Sequence, residues 1–124
     1  MDEREFAAAV AQRAGLAKEE AADLVRGTLE EVGNQISGGE VKGLALELPA
    51  DLAGHLPRHD GRSRPVPLQQ FIRRLSERTG LNENDVSRGV GAILSGLERL
   101  PDGGHVRHAL SQLPSDYRQL MTTG

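Results

Sequence analysis

The chain has 124 residues, 37% of them hydrophobic and 27% charged, with a formal net charge of −3 and a pI near 5.8. That length suits one packed core and is short for two, since domains typically run to about 100–150 residues. The near-neutral balance argues against a nucleic-acid or membrane binder that relies on global charge. The absence of cysteine excludes disulfides, thiolate metal sites and cysteine nucleophiles. Phe6, Phe71 and Tyr117 are the only aromatic residues, too few for stacking platforms.

The acidic start, Met1-Asp2-Glu3-Arg4-Glu5-Phe6, is followed by no uninterrupted apolar run, so neither a signal peptide nor a membrane span is expected, and the expected address is the cytoplasm. Helical periodicity begins at once. Phe6, Val10 and Ala14 recur every four residues, and Gly15 then offers the left-handed stop of a helix C-terminus. A long helix over 18–36 follows the Lys18-Glu19-Glu20 start, with a buried stripe of Ala21, Leu24, Val25, Thr28, Leu29, Val32 and Ile36. Gly38-Gly39 is expected to end it, because glycine adopts positive φ without steric cost. A short helix carries Val41, Leu44, Ala45 and Leu48 until Pro49 stops it. Ala50-Asp51-Leu52 opens a last turn, with Asp51 at the positive end of a helix dipole.

A polar stretch from Pro57 to Pro67 holds three prolines and no periodicity, and reads as the linker of the chain. Beyond it the pattern repeats. Residues 6–56 lie on residues 71–121 at a constant offset of 65 without a gap, giving 12 identities in 51 positions. Phe6 meets Phe71, Gly15-Leu16 meets Gly80-Leu81, Gly38-Gly39 meets Gly103-Gly104, and Leu48-Pro49 meets Leu113-Pro114. The identities are mainly turn and core residues. Phe71, Leu75 and Thr79 therefore predict a helix ended by Gly80. Asn82, with Asp85 three residues on, caps a second long helix over 83–99, striped by Val86, Val90, Ile93, Leu94 and Leu97. Val106, Ala109, Leu110 and Leu113 form the short helix, and Ser115-Asp116-Tyr117 starts the last turn with Ser115 as its cap. The predicted fold is all-α. It is a compact orthogonal bundle, one domain over 1–124, built from two pseudo-twofold-related repeats joined by a linker over 57–70, with the two long helices packed centrally.

The turn motifs carry a resemblance. Phe6, Gly15, Ile36-Ser37-Gly38-Gly39-Glu40, Leu48-Pro49-Ala50-Asp51-Leu52, Phe71, Gly80 and Leu113-Pro114-Ser115-Asp116-Tyr117 together resemble a widespread bacterial family, domain of unknown function 2267. The likeness covers nearly the whole chain. It implies an all-helical fold and no established activity. Members of that family place aromatic residues after an Arg-Gly in the central linker, where this chain has Gly61-Arg62-Ser63-Arg64-Pro65, so any role of those aromatics is in doubt here.

Candidate chemistry is sparse. His55 and His59 are four apart and His105 and His108 three apart, a spacing that invites a metal. The two pairs do not correspond in the repeat, however, and His59 falls in the Pro-rich linker, so ordinary surface or partly buried histidines are expected. Glu19-Glu20 and Glu30-Glu31 are sequence neighbours that point to different helix faces, the mark of a solvated surface rather than an acid–base pair. No Gly-x-Ser-x-Gly elbow, P-loop or dinucleotide fingerprint occurs. Gly27, Gly33, Gly89, Gly91 and Gly96 are expected to mark helix ends or to let helices approach closely.

Charge is unevenly spread. Residues 1–50 hold ten acids and five bases, whereas residues 51–124 hold eight acids and ten bases. Within 58–78, Arg58, Arg62, Arg64, Arg73, Arg74 and Arg78 outnumber Asp60 and Glu77, a local excess of +4 suited to an anion or an acidic partner. The sequence therefore predicts a non-enzymatic protein-interaction or assembly module without catalytic, cofactor or metal residues. Its expected partner is a protein or a second copy, and the alternative is an electrostatic binder of nucleic acid or another anion through 58–78.

Overall fold

Asp2 opens the first helix in the computed structural model, which describes residues 1–101 and 103–122. Its carboxylate accepts from the Glu5 N–H at 2.8 Å, and the Glu5 carboxylate reaches back to the Asp2 N–H, satisfying two donors that a helix start leaves orphaned. Helix α1 runs Glu3–Ala14 and stops at Gly15, whose φ of 69° is left-handed. Helix α5, Leu68–Thr79, stops in the same way at Gly80, φ 79°. Both stops agree with the sequence.

The long helices are α2, Lys18–Gln35, and α6, Glu83–Glu98. Asn82 caps α6 by accepting from the Asp85 N–H at 2.8 Å. Ala17 has no side chain that can cap α2, and there the Glu20 carboxylate accepts from the Ala17 N–H at 2.9 Å instead. Every predicted stripe residue of both long helices is buried.

Gly38-Gly39 does not end α2. That helix closes at Gln35 with Ile36 extended at φ −93°, and Ser37 caps the next helix, α3, Gly38–Glu47. Neither glycine has positive φ, and the second pair behaves alike, Gly103 preceding α7, Gly104–Leu110, at φ −78°. Glycine is needed at 38 for room rather than for a turn. A Cβ there would overlap the His59 carbonyl oxygen of the linker, and the Gly38 N–H donates to the Gly61 carbonyl at 3.0 Å.

Pro49 precedes the short α4, Ala50–Ala53, and the last helix among the described residues is α8, Tyr117–Thr122. Because α8 starts at Tyr117, Asp116 rather than Ser115 immediately precedes its first turn. The two last turns pack differently. Asp51 of α4 accepts from the Glu3 N–H at 2.8 Å and so ties α4 to the start of α1. Helix α8 lies instead on α6, so closely that a Cβ at Gly91 would overlap the Leu120 carbonyl oxygen.

One apolar core unites both halves, drawing Phe6 and Val10 from α1, Leu24 and Leu29 from α2, Phe71 and Leu75 from α5, and Ile93 and Leu97 from α6. Burying each such side chain is worth about 1.5–3 kcal/mol. Close packing explains the interior glycines. A Cβ at Gly89 of α6 would overlap Leu24 of α2, so the crossing of the two long helices depends on its absence.

Candidate interaction face

The segment expected as a plain linker is a strap fastened across the C-terminus of α2. A helix end leaves carbonyls unpaired, and the strap covers two of them. His59 Nε2 lies 3.0 Å from the Gly33 carbonyl, and the Arg64 N–H donates to the Gln35 carbonyl at 2.7 Å. The buried Gln35 side chain then accepts from the Val66 N–H at 2.8 Å and donates to the Tyr117 hydroxyl at 2.9 Å, and that hydroxyl donates to the Val66 carbonyl at 2.6 Å. Burial pushes the Tyr117 hydroxyl up to about 12, against the opposing effect of the Gln35 bond. The phenol stays a donor throughout the neutral range.

Fixing the strap shapes a groove beside it. Helices α3 and α4 and the start of the strap enclose a cavity of about 640 Å³, within the range of ligand and partner pockets. Its walls are largely apolar, from Val41, Ala45, Ala53 and Leu56, and Leu46 stands on its rim with 82% of its surface exposed. Lys42, Arg58, His59 and Asp60 form the polar end. One signal of this face is legible in the sequence: Leu44-Ala45-Leu46 is an apolar run in a helix whose core stripe has no use for Leu46.

The six arginines of the basic stretch are divided. Arg74 and Arg78 turn to α2, where Arg74 Nη1 lies 3.5 Å from a Glu31 oxygen and Arg78 pairs with Glu30. Glu30 and Glu31 thus face α5 rather than bulk solvent alone. Arg58 enters the groove wall, Arg62 and Arg64 ride on the strap, and Arg73 lies exposed on α5. Among the described residues none of these four has a carboxylate partner.

The histidines are scattered. His55 Nε2 is 2.6 Å from a Glu3 oxygen, His59 holds the strap, and His108 Nε2 is 3.1 Å from a Glu40 oxygen. The His105 ring lies against Gly43. Among the described residues no three metal-capable side chains come together. Glu47 of α3 meets the start of α7, its carboxylate accepting from the His105 and Val106 N–H groups at 2.9 Å each. Desolvation alone would raise its pKa, but those two bonds, helped by the charges of His105 and Arg107, hold it below the usual carboxylate value. Sequence reasoning missed this cap because donors and acceptor are 58 and 59 positions apart.

These features define an all-helical protein in which no helix among the described residues is long and apolar enough to cross a membrane. The chain belongs to the family described as Uncharacterized conserved protein (DUF2267), which it matches over residues 3–120. The match covers nearly the whole chain and agrees with the resemblance read from the turn motifs. No curated protein matches the chain.

Proposed function

We propose that the protein is a non-enzymatic interaction or assembly module of the cytoplasm, and that the α3–α4 groove is its working face. The observation that carries this is the groove itself, an apolar cleft of about 640 Å³ with an exposed leucine on its rim. Several titratable side chains elsewhere are engaged in structural bonds. His55 pairs with Glu3, Glu47 caps α7, and Tyr117 fastens the strap. In this reading the scaffold is one compact orthogonal domain of two pseudo-twofold copies. The packing of α1 on α6 beside that of α5 on α2, with α2 against α6 and α3 against α7, supports that symmetry, and α8 departs from it.

Screening the purified protein for hydrolytic and group-transfer turnover tests the reading. No turnover that responds to substitution is expected. A turnover abolished by Asp60→Asn or His59→Ala, with the helical circular dichroism unchanged, contradicts it.

A second reading has its own observation: Arg58, Arg62 and Arg64 sit on a strap held in place by backbone bonds, which presents their charges at fixed positions. That suits an anion or a nucleic acid. Titration with duplex and single-stranded DNA over a salt series tests it, since phosphate contacts release counterions and give a steep salt slope. Undetectable or salt-independent binding below about 100 mM salt rejects it.

A further inference from the structure

We propose that the groove is a self-association face, in which a second copy of this chain lays the Lys42–Leu46 ridge of its α3 into the groove and receives the same ridge in return. The inference rests on the interaction-module reading and names the partner. A twofold contact uses one patch as both of its surfaces, so that patch must carry projection and recess together. Here it does. Leu46, 82% exposed, stands on the rim of the recess formed by Ala45, Ala53 and Leu56.

The second helical unit acts as an internal comparison. At the offset of 65, Ser111 stands at the place of Leu46, Leu110 at that of Ala45, and Arg118 at that of Ala53. The corresponding cavity, lined by those three residues, shrinks to about 170 Å³. The exposed leucine and the large recess are therefore present together in one unit, whereas the other has a serine in place of the leucine and a cavity about a quarter the size. A recess meant for an unrelated ligand would not require the leucine beside it.

The rim charges are also self-complementary. Lys42 Nζ lies 3.9 Å from Asp60 Oδ1, with the side chains 78% and 97% exposed, so the pair contributes little within one chain. Lys42 is one helical turn before Leu46 on α3. A ridge that seats Leu46 in the facing groove carries its ammonium toward the Asp60 of the second copy.

Light scattering over about 1 μM to 1 mM protein tests the proposal. The wild-type chain is expected to dimerise. Leu46→Asp, at an exposed site that leaves the fold intact, raises the dissociation constant by about tenfold or more, as does Ala53→Leu, which fills the recess. Lys42→Glu alone and Asp60→Lys alone weaken the dimer, because each rim then carries one sign of charge. An equimolar mixture of the two variants restores it, since every altered residue then faces an opposite charge on the other chain. That rescue cannot arise within one chain. A wild type monomeric throughout, a dimer indifferent to Leu46→Asp, or a mixture no better than its parts overturns the proposal, leaving the groove to another protein or a small apolar ligand. None of these results touches the non-enzymatic reading, which fails only on a substitution-sensitive turnover.

Discussion

Gln35 and Tyr117, 82 positions apart in the chain, meet in the core through a 2.9 Å bond in which the glutamine amide donates to the phenol oxygen. Val66 closes the ring, giving its N–H to Gln35 and taking the phenol proton on its carbonyl. The end of α2, the strap and the start of α8 are thereby joined, and Tyr117 also stacks obliquely on Phe71 with ring centroids 5.1 Å apart. A buried polar ring of this kind is stabilising only while every member is present.

Removing one hydroxyl should therefore cost more than one hydrogen bond. Tyr117→Phe keeps the aromatic packing but leaves the Gln35 amide and the Val66 carbonyl without their partner. The expected loss is about 1–3 kcal/mol in chemical denaturation. Trypsin should then cut after Arg62 faster than in the wild type. Unchanged stability and unchanged cleavage would show that the ring does not hold the strap.

Alkali should act through the same residue. Tyr117 has its pKa raised to about 12 from an ordinary 10, so the folded state keeps a proton that the unfolded chain gives up. Its contribution is complete below pH 10 and is lost as the pH climbs from 10 toward 12, by on the order of 2 kcal/mol. Stability measured against pH should fall across that window in the wild type. The fall should be much shallower in Tyr117→Phe.

Two adjacent glycines should respond oppositely to alanine. A Cβ at Gly38 meets the backbone carbonyl of His59, which cannot swing aside as a side chain would, whereas nothing lies within 4 Å of a Cβ at Gly39. Gly38→Ala should destabilise by about 1–3 kcal/mol. Gly39→Ala, inside α3, should be neutral or stabilising by up to about 1 kcal/mol. Equal effects at the two positions would contradict the close approach of the strap to α3.

Glu47 predicts an acid limb. Because its folded pKa is depressed, its stabilising effect is present above the ordinary carboxylate pKa and disappears as the pH falls through the folded value. Glu47→Gln should flatten the acid side of the stability profile and speed amide exchange at His105 and Val106, whose N–H groups it accepts. Exchange at those two amides that ignores the substitution would refute the cap.

Much of the fold is legible in local sequence because its causes are local. Gly15 and Gly80 announce left-handed stops, Asn82 announces a cap, and the stripes of α2 and α6 follow from a helical period in a chain with one core. Gly38 misleads for the same reason: its neighbours Gly39 and Ser37 read as a turn, while the need for glycine comes from His59, brought close only by the fold. The groove is harder still. It depends on Ala45 and Ala53 being small where Leu110 and Arg118 are large, a contrast visible once the two units are aligned but meaningful only when α4 and α8 are seen to pack differently. The arginines show the limit of counting charge. An excess of +4 over 58–78 is divided by the fold between ion pairs to Glu30 and Glu31 and positions without a carboxylate partner among the described residues, on the strap and, at Arg73, on α5.

Residues 57–67 form a strap, fixed to α2 and α3 by hydrogen bonds of its backbone, that holds the groove open beside it. Amide hydrogen exchange at Gly38, Arg64 and Val66 tests this most directly, since each N–H donates to a bond between the strap and α2 or α3. The three amides are expected to exchange with protection approaching that of the α2 core. Exchange at the rate of an unstructured chain, with the helices still protected, would contradict it.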